Sequence, residues 1–154
     1  MIEHVWTVVC RQAVVDKESN TMSLQGVLEN IEIFGEPEEG KMVPVQFDVA
    51  SLWSRTGENV PSTGIVRIEL LSPTGNKLLA SKDIEVNLLE TERHRTIVHF
   101  QGMPVSEAGR HTICVELQEE GGGVSAIASV PIMIKFSKPE GKGIEGDLLD
   151  PQID

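Results

Sequence analysis

The chain has 154 residues, 40% of them hydrophobic, and carries 24 Asp and Glu against 13 Lys and Arg, a net charge of −11. A chain of this size fits one domain and buries roughly 70% of its unfolded surface, so it needs neither a disulfide nor a metal to fold. Its acidity repels phosphate backbones and anionic membranes, and the longest basic run is Arg93-His94-Arg95, so neither nucleic acid nor a membrane surface is expected as a partner.

The N-terminal Met1-Ile2-Glu3-His4-Val5-Trp6 lacks a basic segment leading into an apolar one, so no secretory signal is expected. Residues 4–15 are rich in Val and Thr, with apolar side chains on both parities, and predict a first strand. The polar turn Asp16-Lys17-Glu18-Ser19-Asn20 leads to a second strand over 22–33, giving a hairpin in which Gly26 marks a bulge. After the loop Glu36 to Gly40, Val43, Val45, Phe47 and Val49 alternate with polar residues and predict a half-buried strand. A loop over 54–63 follows, then a strand alternating Val66, Ile68 and Leu70 with Arg67 and Glu69.

Ser72-Pro73-Thr74-Gly75-Asn76 is a turn signal, because Pro presets φ and Gly takes positive φ freely. Its partner strand runs over 78–86, and residues 87–92 have room for one helical turn. Residues 93–101 alternate Thr96, Val98 and Phe100 with Arg95, Ile97 and His99, which places the last group on the opposite face. Arg110 to Leu117 predicts another strand, with His111 inward and Cys114 outward, so the two cannot converge on one metal. A glycine-rich hairpin at 118–123 leads to a last apolar strand over 124–136, where Pro131 marks an edge or a bulge. About eight strands and no convincing helix predict an all-β fold, an antiparallel β-sandwich of immunoglobulin-like or related Greek-key type. That domain spans 1–137. Residues 138–154 turn glycine-rich and acidic and predict a flexible tail containing Leu148-Leu149.

Contiguous catalytic motifs are absent: no Gly-x-Ser-x-Gly, no phosphate-binding Gly-x-x-x-x-Gly-Lys, no Cys-x-x-Cys and no His-Glu-x-x-His. Asp16, Glu18 and Asn20 imitate the start of a calcium loop, but Thr21 stands where glycine is required and Val27 where the final glutamate belongs. The carboxylates of Glu36, Glu38 and Glu39, or of Glu119 and Glu120, read as solvated loop tips. Cys10 and Cys114 make no disulfide framework and predict two reduced thiols in a cytoplasmic chain.

Three segments resemble an uncharacterised bacterial β-sandwich family, a domain of unknown function. They are the opening hairpin with Ser23-Leu24-Gln25-Gly26-Val27, the strand-turn-strand over 70–80, and the late strand over 107–117. His111 stands where that family has an aromatic residue. The resemblance covers residues 4–136 and implies a fold but no site residues.

The expected function is a non-enzymatic protein-interaction or structural domain, with a small-ligand or carbohydrate-binding module as the alternative. No cofactor and no metal are expected, and the partner is another protein or a second copy of the chain. The candidate interface is Trp6, Val8 and Cys10 on the first strand, which is apolar on both faces, together with Trp53 as an aromatic platform.

Overall fold

The computed structural model describes residues 1–56 and 60–138. It contains ten strands: β1 (Ile2–Val15), β2 (Met22–Val27), β3 (Asn30–Phe34), β4 (Phe47–Arg55), β5 (Ser62–Leu71), β6 (Lys77–Ala80), β7 (Ile84–Leu88), β8 (Arg93–Phe100), β9 (Gly109–Glu119) and β10 (Val124–Ser137). They form a four-stranded sheet ordered β2-β1-β4-β8 and a six-stranded sheet ordered β3-β10-β9-β5-β6, with β7 on the same β5 edge as β6. No helix occurs among the described residues; of 87–92, read as a helical turn, Asn87 and Leu88 end β7 and the rest is a bend.

The core between the sheets is largely aliphatic, as the composition requires. Val9, Val49, Val66, Ile68, Leu70, Ile113, Val115, Ile132 and Ile134 are all buried in it. Phe47 and Phe100 stack at 4.9 Å between ring centroids, and Trp53 donates its indole N–H to Thr96 Oγ1 at 3.0 Å. A buried indole N–H needs such a partner, because leaving it unpaired costs about 1–3 kcal/mol.

Two strands predicted as continuous are divided, which turns eight into ten. The 22–33 strand changes sheets at Leu28-Glu29. Leu28 N–H donates to Val9 O at 2.8 Å in one sheet, and Glu29 O accepts from Met133 N at 3.0 Å in the other. The crossing is thus tied to both sheets by backbone hydrogen bonds to distant strands, which nothing in the local pattern announces. The 78–86 strand is broken at 81–83, where Ser81 Oγ accepts from Ile68 N (2.9 Å) and Ser81 N donates to Ile68 O (2.8 Å). Arg67 and Asp83, 2.7 Å apart, close that jog.

A further correction follows from the sheet change. β3 enters the six-stranded sheet parallel to β10, pairing Met133–Ser137 with Asn30–Phe34, so the fold is not purely antiparallel. The alternating strand from Val43 also starts later, at Phe47, leaving Val43 in a single bridge to Met103. Register runs straight through Gly26 (Cys10 opposite Val27, Gln12 opposite Gln25), so that glycine marks no bulge. Pro131 lies two residues before Met133, where β3 pairing begins. There β10 has a neighbour on one side only, so the missing N–H leaves no second ladder short. The tail read at 138–154 falls beyond Lys138 outside the described residues, as does Gly57 of the 54–63 loop.

Candidate functional site

β4 is flanked by β1 and β8, so its outward side chains sit in the middle of the four-stranded sheet. By alternation Phe47, Val49 and Trp53 face the core, while Asp48, Ala50 and Leu52 face outward. Register places Cys10, Asp48 and His99 in one row across three strands. β1 stops pairing with β4 at this row yet runs on to Val15, which leaves its backbone without a neighbour on that side. Asp48 takes over: its Oδ2 accepts the Ala13 N–H at 2.8 Å, and its Oδ1 lies 2.6 Å from His99 Nδ1.

The pair is asymmetric in exposure. The Asp48 side chain is 8% accessible and that of His99 is 49%. A carboxylate can only accept hydrogen bonds, so a neutral imidazole in this 2.6 Å contact carries its proton on Nδ1 and keeps the Nε2 lone pair free. The pair borders a cavity of about 790 Å³ lined also by Arg11, Gln12, Asn30 and Glu32. The stem of Arg11 lies over Gly26, where a Cβ would come within 3.0 Å of Arg11 Cδ and φ is +67°. Gly26 therefore makes room for the arginine at this cleft.

This is the arrangement of a carboxylate-oriented base: one buried acceptor fixes the ring and tautomer, and the other ring nitrogen faces polar space. Cys10 extends the row but in the wrong order for a nucleophile. It adjoins Asp48, not His99, and it is fully buried. Burial pushes its thiol pKa up, and the Asp48 charge pushes it further. Neutral thiols of this kind attack poorly.

The residues singled out in the sequence fall in several places. Trp53 and Cys10 are buried in the single chain, so neither presents a surface, and Trp53 is no platform for a sugar. Trp6 and Val8 are half-buried on the outer face. His111 is inward and fully buried, with Nδ1 at 3.2 Å from Gly109 O, and Cys114 lies on the opposite face as a half-buried free thiol. Its pKa is raised by burial and then by Glu116 and Glu69. Cys10 and Cys114 belong to different sheets.

Five of the loop carboxylates have a partner of their own. Asp16 Oδ1 accepts from Glu18 N (2.9 Å), Glu119 Oε1 from Ile2 N (2.6 Å), and Glu120 Oε2 from Thr63 Oγ1 (2.9 Å). Glu38 faces Lys41 and Glu36 faces Lys138, both at 3.5 Å. Among the described residues no three His, Cys, Asp or Glu side chains converge on a point suited to a metal.

Alternation places His99 on the outer face but could not find Asp48. The sole local signal is an acidic residue in the outward parity of a strand whose neighbours are strongly apolar. Only the register between β4 and β8 brings the two side chains together.

No family model and no curated protein matches this chain. Among solved structures it is similar to Pseudomonas fluorescens alkylpurine DNA glycosylase AlkC bound to DNA containing an abasic site analog. The identity is 13%, the TM-score 0.38, and the match covers 84% of this chain. The chain spans 30% of the length of that structure. Two expectations are corrected: a non-enzymatic protein-interaction or structural domain, with a small-ligand or carbohydrate-binding module as the alternative, and the exclusion of nucleic acid. The physical fault in both is the same. Absent contiguous motifs do not exclude a site assembled across strands, and net charge sums the whole surface without describing any one cleft. A likeness at this TM-score transfers neither activity nor substrate to the chain.

Proposed function

We propose that the cleft beside Asp48 and His99 is a proton-transfer site for a small polar molecule. The observation that carries this reading is the 2.6 Å contact between a buried carboxylate and an exposed imidazole at the rim of a 790 Å³ cavity. His99 Nε2 accepts a proton from a bound water or substrate hydroxyl, and Asp48 stabilises the imidazolium that forms. Arg11, Gln12 and Asn30 supply hydrogen-bond donors for an oxygen-rich ligand. The sequence reading of a non-enzyme rested on contiguous motifs, and this pair is built from residues 51 positions apart.

Three finer assignments accompany this reading as proposals. The immunoglobulin-like or related Greek-key topology is supported by the chain passing between sheets from β4 to β5 and from β8 to β9. Membership of the uncharacterised bacterial family rests on the opening hairpin and the Ser72–Asn76 turn. A cytoplasmic location is supported by two free cysteines. Among the described residues no helix is long and apolar enough to cross a membrane.

Hydrolysis of p-nitrophenyl acetate, an activated ester sensitive to an accessible imidazole base, tests the site. Wild type is expected to hydrolyse it faster than His99→Ala, which keeps only the background from the other accessible histidine and lysine side chains. Asp48→Asn is expected to retain roughly a tenth or less of the wild-type excess, within the range for general-base groups. Equal rates for wild type and His99→Ala, with both folded by circular dichroism, would remove the proposal.

A further inference from the structure

A second cleft lies on the same outer face, at the other end of β4. Register aligns Trp6, Leu52 and Arg95 in one row, and Arg93, two residues earlier, shares the outward parity. Leu52 is four residues along β4 from Asp48, roughly 13 Å at strand rise, so this cleft is separate from the His99 site. It encloses about 740 Å³, with Trp6, Leu24, Leu52, Arg93 and Arg95 in its wall. Asn20, held at φ 58° in the β1–β2 turn, anchors one end of Arg95. The Arg95 guanidinium donates to the Asn20 side-chain oxygen at 3.1 Å and to the Asn20 carbonyl.

The charge pattern is what marks this cleft. Acids outnumber bases 24 to 13 in the chain, yet neither Arg93 nor Arg95 pairs with a carboxylate among the described residues. Arg67 and Lys77, on the outer face of the other sheet, both do. Two guanidiniums without counter-charges beside a half-buried indole and an apolar floor form a compound surface. It fits an anion attached to a flat ring, because guanidinium planes match phosphate oxygens and an indole stacks on a base.

We propose that the Trp6–Arg93–Arg95 cleft binds a nucleoside phosphate, with the base against Trp6 and the phosphate on the two arginines. The overall charge of −11 opposes the approach of any phosphate, so affinity rests on these local contacts. The same chemistry is offered by a free nucleotide and by one unit of a single strand.

Trp6 and Trp53 are the two tryptophans, and Trp53 is buried, so quenching of intrinsic fluorescence reports on Trp6. Titration compares AMP, adenosine, inorganic phosphate and a short oligothymidylate, with Trp6→Phe as the signal control. Saturable quenching by AMP, weaker with adenosine or phosphate alone, is the expected result. Arg93→Gln, at an exposed position, is expected to weaken AMP about tenfold, the scale of one charge-assisted hydrogen bond. Quenching by oligothymidylate in preference to AMP assigns the cleft to a strand and also supports it. Absence of saturable quenching by both, or an AMP affinity untouched in Arg93→Gln, overturns it.

Discussion

His4 shows how one half-buried polar ring ties pH to stability. Its Nε2 lies 2.7 Å from Thr7 Oγ1, which in turn lies 2.8 Å from Ser51 Oγ, and its ring meets Trp53 edge-on at 5.2 Å. Burial lowers the His4 pKa from its usual 6.5, since the charged imidazolium loses water it cannot replace. Between the lowered folded value and 6.5 the unfolded chain binds more protons at this site than the folded one. Stability therefore rises with pH through that window. The contribution is complete above 6.5 and is lost as pH falls through the folded value. Urea unfolding at neutral and mildly acidic pH is expected to show a larger acid loss for wild type than for His4→Gln; the same loss in both would remove His4 from the account. His111 makes a contrasting case. It is fully buried with Nε2 unpartnered, in a strand position where the sequence resemblance has an aromatic. Its ring acts there mainly as volume.

At the scale of elements, the sheet is tight where strands from both sheets meet β5. Gly64 lies between Val86 and Glu119 in register, and a Cβ there would come within 2.9 Å of Ile2 Cδ1 and 3.1 Å of Gln118 O. The carbonyl belongs to a paired strand and cannot move aside. Gly64→Ala is accordingly expected to cost about 1–3 kcal/mol in urea unfolding, the usual price of overpacking; an unchanged midpoint would show that Ile2 and β9 yield freely. The same strand shows what alternation reveals. Val66, Ile68 and Leu70 face inward and Arg67 outward, as the pattern in sequence requires. The hairpin turns at 16–20 and 72–76 are equally plain, because Asp, Pro and Gly carry their turn chemistry locally. The breaks at 28–29 and 81–83 are not. Each depends on hydrogen bonds to another strand, β5 for the second and β1 and β10 for the first, and a run of apolar residues looks the same whether or not it changes sheets. The site shares that property: Asp48 and His99 are legible as outward residues, but their meeting is a matter of register alone.

Across the whole molecule the two outer faces differ. The six-stranded sheet turns outward a row of charges that neutralise one another, with Lys77 2.6 Å from Glu69 and Arg67 2.7 Å from Asp83. The four-stranded sheet turns outward Cys10, Asp48 and Ala50, all buried, with a cleft at each end of β4. The exposed Arg67–Asp83 pair contributes little beyond solubility, whereas Glu69 is buried and is neutralised, among the described residues, by Lys77 alone. A carboxylate held in the second setting must be retained by what it contacts, here the Ala13 N–H and His99. The functional reading accordingly rests on one face, and on one proton within it. A free neutral histidine favours the tautomer with its proton on Nε2, whereas the Asp48 contact requires it on Nδ1. Two-bond nitrogen–proton correlation of the histidine rings at neutral to mildly alkaline pH resolves the two forms, and Asp48→Asn identifies the His99 signals. The account predicts that neutral His99 carries its proton on Nδ1 in the native protein and reverts toward the Nε2–H form in Asp48→Asn. A native His99 already in the Nε2–H form would contradict it.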